Sequence, residues 1–132
     1  MYDRLKHVIL LPNNLHTAGR FEIAARKYEL KPERRPYSEA SIVESDAGSS
    51  IVVQMRNRND KKALALVRKS VEIGARVGVV SLTDVEEVRG MIRIYGAQHC
   101  SADELNYTRV MRWLSDERSI KRWLKSKQDS SI

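Results

Sequence analysis

Apolar and polar positions repeat most regularly between Ile51 and Leu82. Ile51-Val52-Val53-Gln54-Met55-Arg56 alternates and is rich in β-branched residues, which predicts a strand with one buried face. Asn57-Arg58-Asn59-Asp60 interrupts it and offers Asn59 or Asp60 as a helix N-cap. From Lys61 to Ile73, Ala63, Leu64, Val67 and Val71 recur at helical spacing, while Lys61, Lys62, Arg68, Lys69 and Glu72 fall largely on the other side. Gly74 sits where a helix takes its left-handed stop, and Val77-Gly78-Val79-Val80 begins another strand. The expected unit is strand, helix, strand.

Upstream, Val8-Ile9-Leu10-Leu11 is a continuous apolar run ended by Pro12, the pattern of a central strand. Asn13-Asn14 or Thr17 can cap a following helix, whose stripe is Ala18, Phe21, Ala25 and Tyr28 and whose end falls near Leu30. Lys31-Pro32-Glu33-Arg34-Arg35-Pro36-Tyr37 reads as an extended, exposed connection. Ala40 to Ser45 alternates weakly and ends in the turn sequence Asp46-Ala47-Gly48-Ser49, which predicts an antiparallel hairpin with Ile51–Arg56.

Two capping boxes follow, Thr83-Asp84-Val85-Glu86 and Ser101-Ala102-Asp103-Glu104. The first opens a helix with Val85, Val88, Ile92 and Tyr95 on one stripe; the second opens one with Leu105, Val110, Met111 and Leu114. Around Ser115-Asp116 the phase shifts, so a bend or new helix start is expected before Ile120, Trp123 and Leu124. The last residues, 128–132, have little to hold them.

This order matches the split βαββαβ arrangement of ferredoxin-like α+β domains. The expected fold is a four-stranded, mostly antiparallel sheet backed by helices over residues 1–82, with a C-terminal helical extension over 83–127, all in a single domain. A mixed α/β sheet of restriction-endonuclease type is the alternative.

The net charge of +7 favours polyanionic partners or serves solubility alone. In the C-terminal region the signs are segregated: Asp116 and Glu117 are followed by Arg118, Lys121, Arg122, Lys125 and Lys127 without an intervening acid. On a helix, Arg118, Lys121, Arg122 and Lys125 line one side, with Arg109 and Arg112 a few turns earlier. Such a ridge can track phosphates, and Trp123 is a candidate for stacking on a base. A second basic group comprises Arg34 and Arg35 in the proline-containing connection, together with Arg56, Arg58, Lys61 and Lys62 where strand hands over to helix. DNA and RNA are both open as partners. The bland alternatives are a solvated helix face, core tryptophans and a polar turn with an N-cap.

Other chemistries find less in the chain. The expected central strands, Val8–Leu11 and Ile51–Arg56, hold no aromatic residue, so base stacking on the sheet as in an RRM is not expected. A metal-dependent nuclease would draw on Glu44, Asp46 and Glu22 or Glu29, yet Gln54 and Arg56 stand where an acid and a lysine are needed. His7, His16 and His99 are dispersed and Cys100 is the lone cysteine, so neither a zinc site nor a disulfide is expected. No phosphate-binding glycine motif follows a strand, and no cofactor is expected. No apolar run has membrane-spanning length, and the expected compartment is the cytoplasm.

The resulting expectation is a small basic, non-enzymatic nucleic-acid-binding or regulatory accessory protein. The alternative is a protein-interaction module or homodimer presenting Met111, Trp113, Leu114, Ile120 and Trp123, followed by a divergent nuclease.

Overall fold

In the computed structural model, described for residues 3–13, 15–55, 60–81, 90, 99–101 and 106–130, the strands form one parallel sheet. A short helix α1 (Asp3–Lys6) leads into β1 (His7–Leu11), followed by α2 (Leu15–Lys27) and β2 (Lys31–Arg34). Two 3₁₀ turns, Glu39–Ser41 and Glu44–Asp46, precede β3 (Ser50–Met55), α3 (Lys61–Glu72) and β4 (Arg76–Ser81). Strand β5 (His99–Ser101) and helices α4 (Asn106–Ser115) and α5 (Glu117–Ser130) complete the described chain. The strand order is β2-β1-β3-β4-β5.

This overturns the ferredoxin-like expectation, and the reason lies in the burial of both sheet faces. Val8 to Leu11 are inaccessible, and every position of β3 is buried. Strands covered on both faces are characteristic of parallel sheets whose connecting helices lie over them. Ile9, Leu11, Ile51, Val53, Val77 and Val79 pack under α3 through Ala63, Leu66 and Val67. Val8, Leu10, Val52 and Val80 pack on the opposite face under Phe21 and Ala25 of α2 and Val110, Met111 and Leu114 of α4. The sheet is the middle of three layers.

The expected hairpin is absent because β3 finds its partners in β1 and β4, both parallel to it. Residues expected to form its first arm fold instead into the two 3₁₀ turns, with Ile42 buried on the α3 side of the core. The connection Lys31–Tyr37, expected to be extended and exposed, supplies β2 through Lys31–Arg34. Its Pro32 is tolerated because β2 is an edge strand with a neighbour on one side only. The expected helical extension also contributes β5 to the sheet, paired with β4 from Gly78 to Val80. The elements expected over 82–89, 91–98 and 102–105, including the helix after Thr83, lie outside the described residues.

Local helix signals are as the spacing predicts. Asp60 caps α3 by accepting from the Ala63 N–H at 3.0 Å. Gly74, at φ 92°, closes it with the Gly74 N–H bonded to the Val71 carbonyl and the Ala75 N–H to that of Ser70. The phase shift near residue 115 is a break between α4 and α5. Asp116 caps the new helix by accepting from the Ser119 N–H at 3.2 Å.

Helix α4 lies close on β4 because Gly78 has no side chain. A Cβ there would stand 2.7 Å from Val110 Cγ2. Arg76 fastens the end of the same helix: its Nη1 donates to the Leu114 carbonyl at 2.8 Å and its Nη2 to that of Trp113 at 3.0 Å. Gly78→Ala is therefore expected to destabilise the fold by about 1–3 kcal/mol through overpacking. Val110→Ala in the same chain should recover part of that loss in chemical denaturation. Equal stability of wild type and Gly78→Ala would contradict the close approach.

Candidate nucleic-acid interface

Helix α5 divides its residues by face. Ile120 and Trp123 are buried against Leu5 of α1, with Leu124 half-buried beside them. Arg118, Lys121, Arg122 and Lys125 are exposed. The apolar contacts orient the helix, so the basic residues turn outward at their three- and four-residue spacings. Asp116 is spent as the N-cap, and the Ser119 hydrogen bond holds its carboxyl below the ordinary carboxylate range, with Arg118 adding to the effect. Among the described residues Lys121, Arg122 and Lys125 enter no ion pair. The row of positive charge is thus not cancelled within the described chain.

Trp123, expected as a stacking residue, is 9% exposed and packs under α5. Trp113 is half-buried, with the Arg76 guanidinium 4.0 Å from its ring centre. Met111 and Leu114 lie in the sheet core, so the five residues put forward for a protein or dimer contact are buried or half-buried. Two separate clusters accommodate the change of phase that had suggested an uncovered stripe. Arg112 is exposed on α4, its Nε 3.5 Å from the Tyr28 hydroxyl of α2.

The second basic group does not converge with α5. Arg34 pairs with Glu22 of α2, its Nε donating at 2.7 Å. Arg35 donates from Nη1 to Asp46 Oδ2 at 2.7 Å and to the Ser41 carbonyl at 2.8 Å, and also pairs with Glu33. Glu33 in turn meets His7 Nε2 at 2.9 Å. These contacts clip the 3₁₀ segment to β2 and β1. The hydrogen bond that Arg35 donates to Asp46 raises the Arg35 pKa further. Burial acts to raise the Asp46 carboxyl, but Arg35 and the Val43 N–H outweigh it and hold it below the ordinary range. Arg56 and Arg58 lie outside the described residues.

The carboxyl edge of the sheet holds a polar set of another kind. Strand order reverses direction there, since β1 has β2 on one side and β3 on the other. Gln54 at the end of β3 spans this switch point. Its Oε1 accepts from the Asn13 N–H at 2.9 Å, and its Nε2 donates to Thr17 Oγ1 at 3.2 Å. Tyr37 donates its hydroxyl to the Gln54 carbonyl at 2.6 Å, and Lys62 Nζ lies 5.5 Å from the Tyr37 ring centre. Sequence reasoning weighed Gln54 only as a missing acid. The available signal was a lone amide inside an otherwise apolar strand.

A shallow groove of about 540 Å³ lies along the outer side of α3. In its lining Arg68 pairs with Glu72 at 3.0 Å, and Lys69 Nζ donates to the Glu39 backbone carbonyl at 2.6 Å. The acids put forward for a nuclease are apart, with Glu22 engaged by Arg34 and Asp46 by Arg35. Among the described residues, no three His, Cys, Asp or Glu side chains are grouped to hold a metal ion, and no helix is long and apolar enough to cross a membrane.

No protein-family model matches the chain, and no curated protein matches it. Among solved structures the chain is similar to the sugar isomerase domain of an RpiR transcription factor from Sphaerobacter thermophilus. The two share 14% identity and a TM-score of 0.54 over 97% of this chain and 79% of that one. At this identity the likeness is one of fold, and it agrees with the parallel, helix-covered sheet rather than with a ferredoxin-like domain.

The depressed Asp46 and Glu33 carboxyls have a sign that can be tested. A carboxyl with a folded pKa below its unfolded one stabilises the fold fully above the unfolded value, here the ordinary 3.8 and 4.5. That stability is lost as pH falls through the folded values. Asp46→Asn is therefore expected to lower the melting temperature at pH 7 and to flatten its decline between about pH 5 and pH 3. An unchanged acid limb in the variant would count against the clip.

Proposed function

We propose that this chain is a regulatory, non-enzymatic binding module that contacts the phosphates of a nucleic acid through α5. The observation that carries this reading is the outward row Arg118, Lys121, Arg122 and Lys125, set on a helix whose apolar side is already consumed by Leu5, Ile120 and Trp123. Positive side chains that neutralise phosphates release counterions, so affinity comes from the backbone and falls steeply with salt. The similarity of fold to a transcription-factor domain supports the regulatory part of the proposal. Fold alone does not specify the partner.

Fluorescence anisotropy of labelled oligonucleotides at several salt concentrations tests it. Four phosphate contacts correspond to a slope of roughly −3.6 in log affinity against log salt on a duplex. The variant with all four residues changed to Gln should lose most of its binding while keeping its melting temperature, since all four are exposed. Absent binding at low salt, or binding insensitive to salt, rejects the proposal.

A second reading is favoured by the Gln54, Asn13 and Thr17 arrangement at the switch point. Crevices at such points hold ligands in open α/β sheets. Here the chain supplies amide and hydroxyl groups. That set suits a small phosphorylated ligand such as a sugar phosphate. Glucose 6-phosphate serves as a probe: at a hundredfold excess over its dissociation constant, binding to the folded state adds about 2.7 kcal/mol. A rise of several degrees in melting temperature, absent in Gln54→Leu and with inorganic sulfate, is the expected outcome. No shift with a panel of sugar phosphates removes this reading and leaves the first intact.

A further inference from the structure

We infer that the partner of α5 is a duplex, laid along the amino edge of the sheet and held by Lys27, Lys31 and Arg112 in addition to the α5 cations. This rests on the phosphate-binding reading of α5 and goes further by naming the form of the nucleic acid and its footprint.

The footprint follows from topology. Leu5, just before β1, packs on Ile120 and Trp123, which places the start of α5 at the amino edge. Arg76, the first residue of β4, holds the carbonyls at the end of α4, so that helix also ends there. Helix α2 runs back from the carboxyl edge and finishes with Arg26 and Lys27, and Lys31 opens β2 at the same end. Arg112 lies beside Tyr28, the residue after α2. Lys27, Lys31 and Arg112 are all exposed. Cations far apart in sequence are therefore gathered at one end of the molecule. Acids lie there too: Asp116 is used as a cap, Asp46 pairs with Arg35 and Glu72 with Arg68, and Glu29, Glu44 and Glu117 are exposed.

The form of the partner follows from the aromatic rings. Single strands are gripped by stacking bases on exposed aromatic faces. Each described aromatic side chain is otherwise engaged. Phe21 is inaccessible, Trp123 packs on Leu5, and Trp113 lies against Arg76. Tyr37 is covered by Lys62, and Tyr28 meets Lys27 and Arg112. Among the described side chains, the exposed row on α5 is cationic, which suits the denser phosphate array of a duplex, about one charge per 1.7 Å of axis. From Arg118 to Lys125 the ridge covers about 10 Å of helix, several such spacings. The apolar side of α5 is buried, so the helix has no free face to insert into a lipid surface.

The experiment titrates the full chain with a labelled 20-base-pair DNA duplex, with each of its strands alone, and with vesicles containing anionic lipid. The duplex is expected to bind at least tenfold more tightly than either strand. The triple variant Lys27→Gln, Lys31→Gln, Arg112→Gln should bind the duplex more weakly and reduce the salt slope by about 2–3, roughly one per lost contact. Its melting temperature should match wild type. Equal or tighter binding of a single strand overturns the duplex assignment, and an unchanged slope in the triple variant overturns the footprint; both leave α5 as a phosphate site. Binding to vesicles alone, or to no oligonucleotide at all, overturns this inference together with the reading beneath it.

Discussion

The buried guanidinium of Arg76 is the contact on which the C-terminal half of the structure depends. Its side chain is inaccessible, yet it faces no carboxylate at bonding distance among the described residues. The carbonyls of Trp113 and Leu114, at the negative end of α4, take its two terminal nitrogens, and the Trp113 ring lies against its face. This solvation is incomplete. Nε has no partner among the described residues, and burial pushes the pKa down to about 10, with Asp116 opposing it. An arrangement that costs this much desolvation specifies geometry: the guanidinium fork fits one position of the helix end over β4.

From that fastening the rest follows in order. Gly78 lets Val110 approach β4 closely, and Met111 and Leu114 seal the sheet face they share with α2. Asp116 then starts a new helix immediately after the fastened end. Leu5 receives Ile120 and Trp123, which sets the rotation of α5 about its axis and turns its cations outward. The polar switch point bridged by Gln54 lies at the opposite end of the strands.

Much of the local structure was legible in the chain. Asp60, Gly74 and the β-branched runs are governed by contacts within a few residues, and the break at Ser115-Asp116 was visible as a shift of apolar phase. The direction of β3 relative to its neighbours was not. A weakly alternating segment followed by Asp46-Ala47-Gly48-Ser49 has the composition of a hairpin, whereas Asp46 is buried and paired with Arg35. Nor did the proline at position 32 reveal an edge strand, because its cost depends on whether a second neighbour is present. For the site, the basic residues of α5 and their spacing could be read directly. The burial of Trp123 could not, since it depends on Leu5, more than a hundred residues away in sequence.

Local hydrogen bonding and periodicity in the chain were enough to locate β1, β3, β4 and α3, the start of α5 and the side of α5 that carries positive charge, but not β2 or β5. Tertiary packing made the sheet parallel and engaged Arg34 and Arg35 in ion pairs. It also decided that cations from α2, β2, α4 and α5 gather at one edge. Those outcomes depend on which distant surfaces exclude water together, and hydrophobic burial is indifferent to sequence separation.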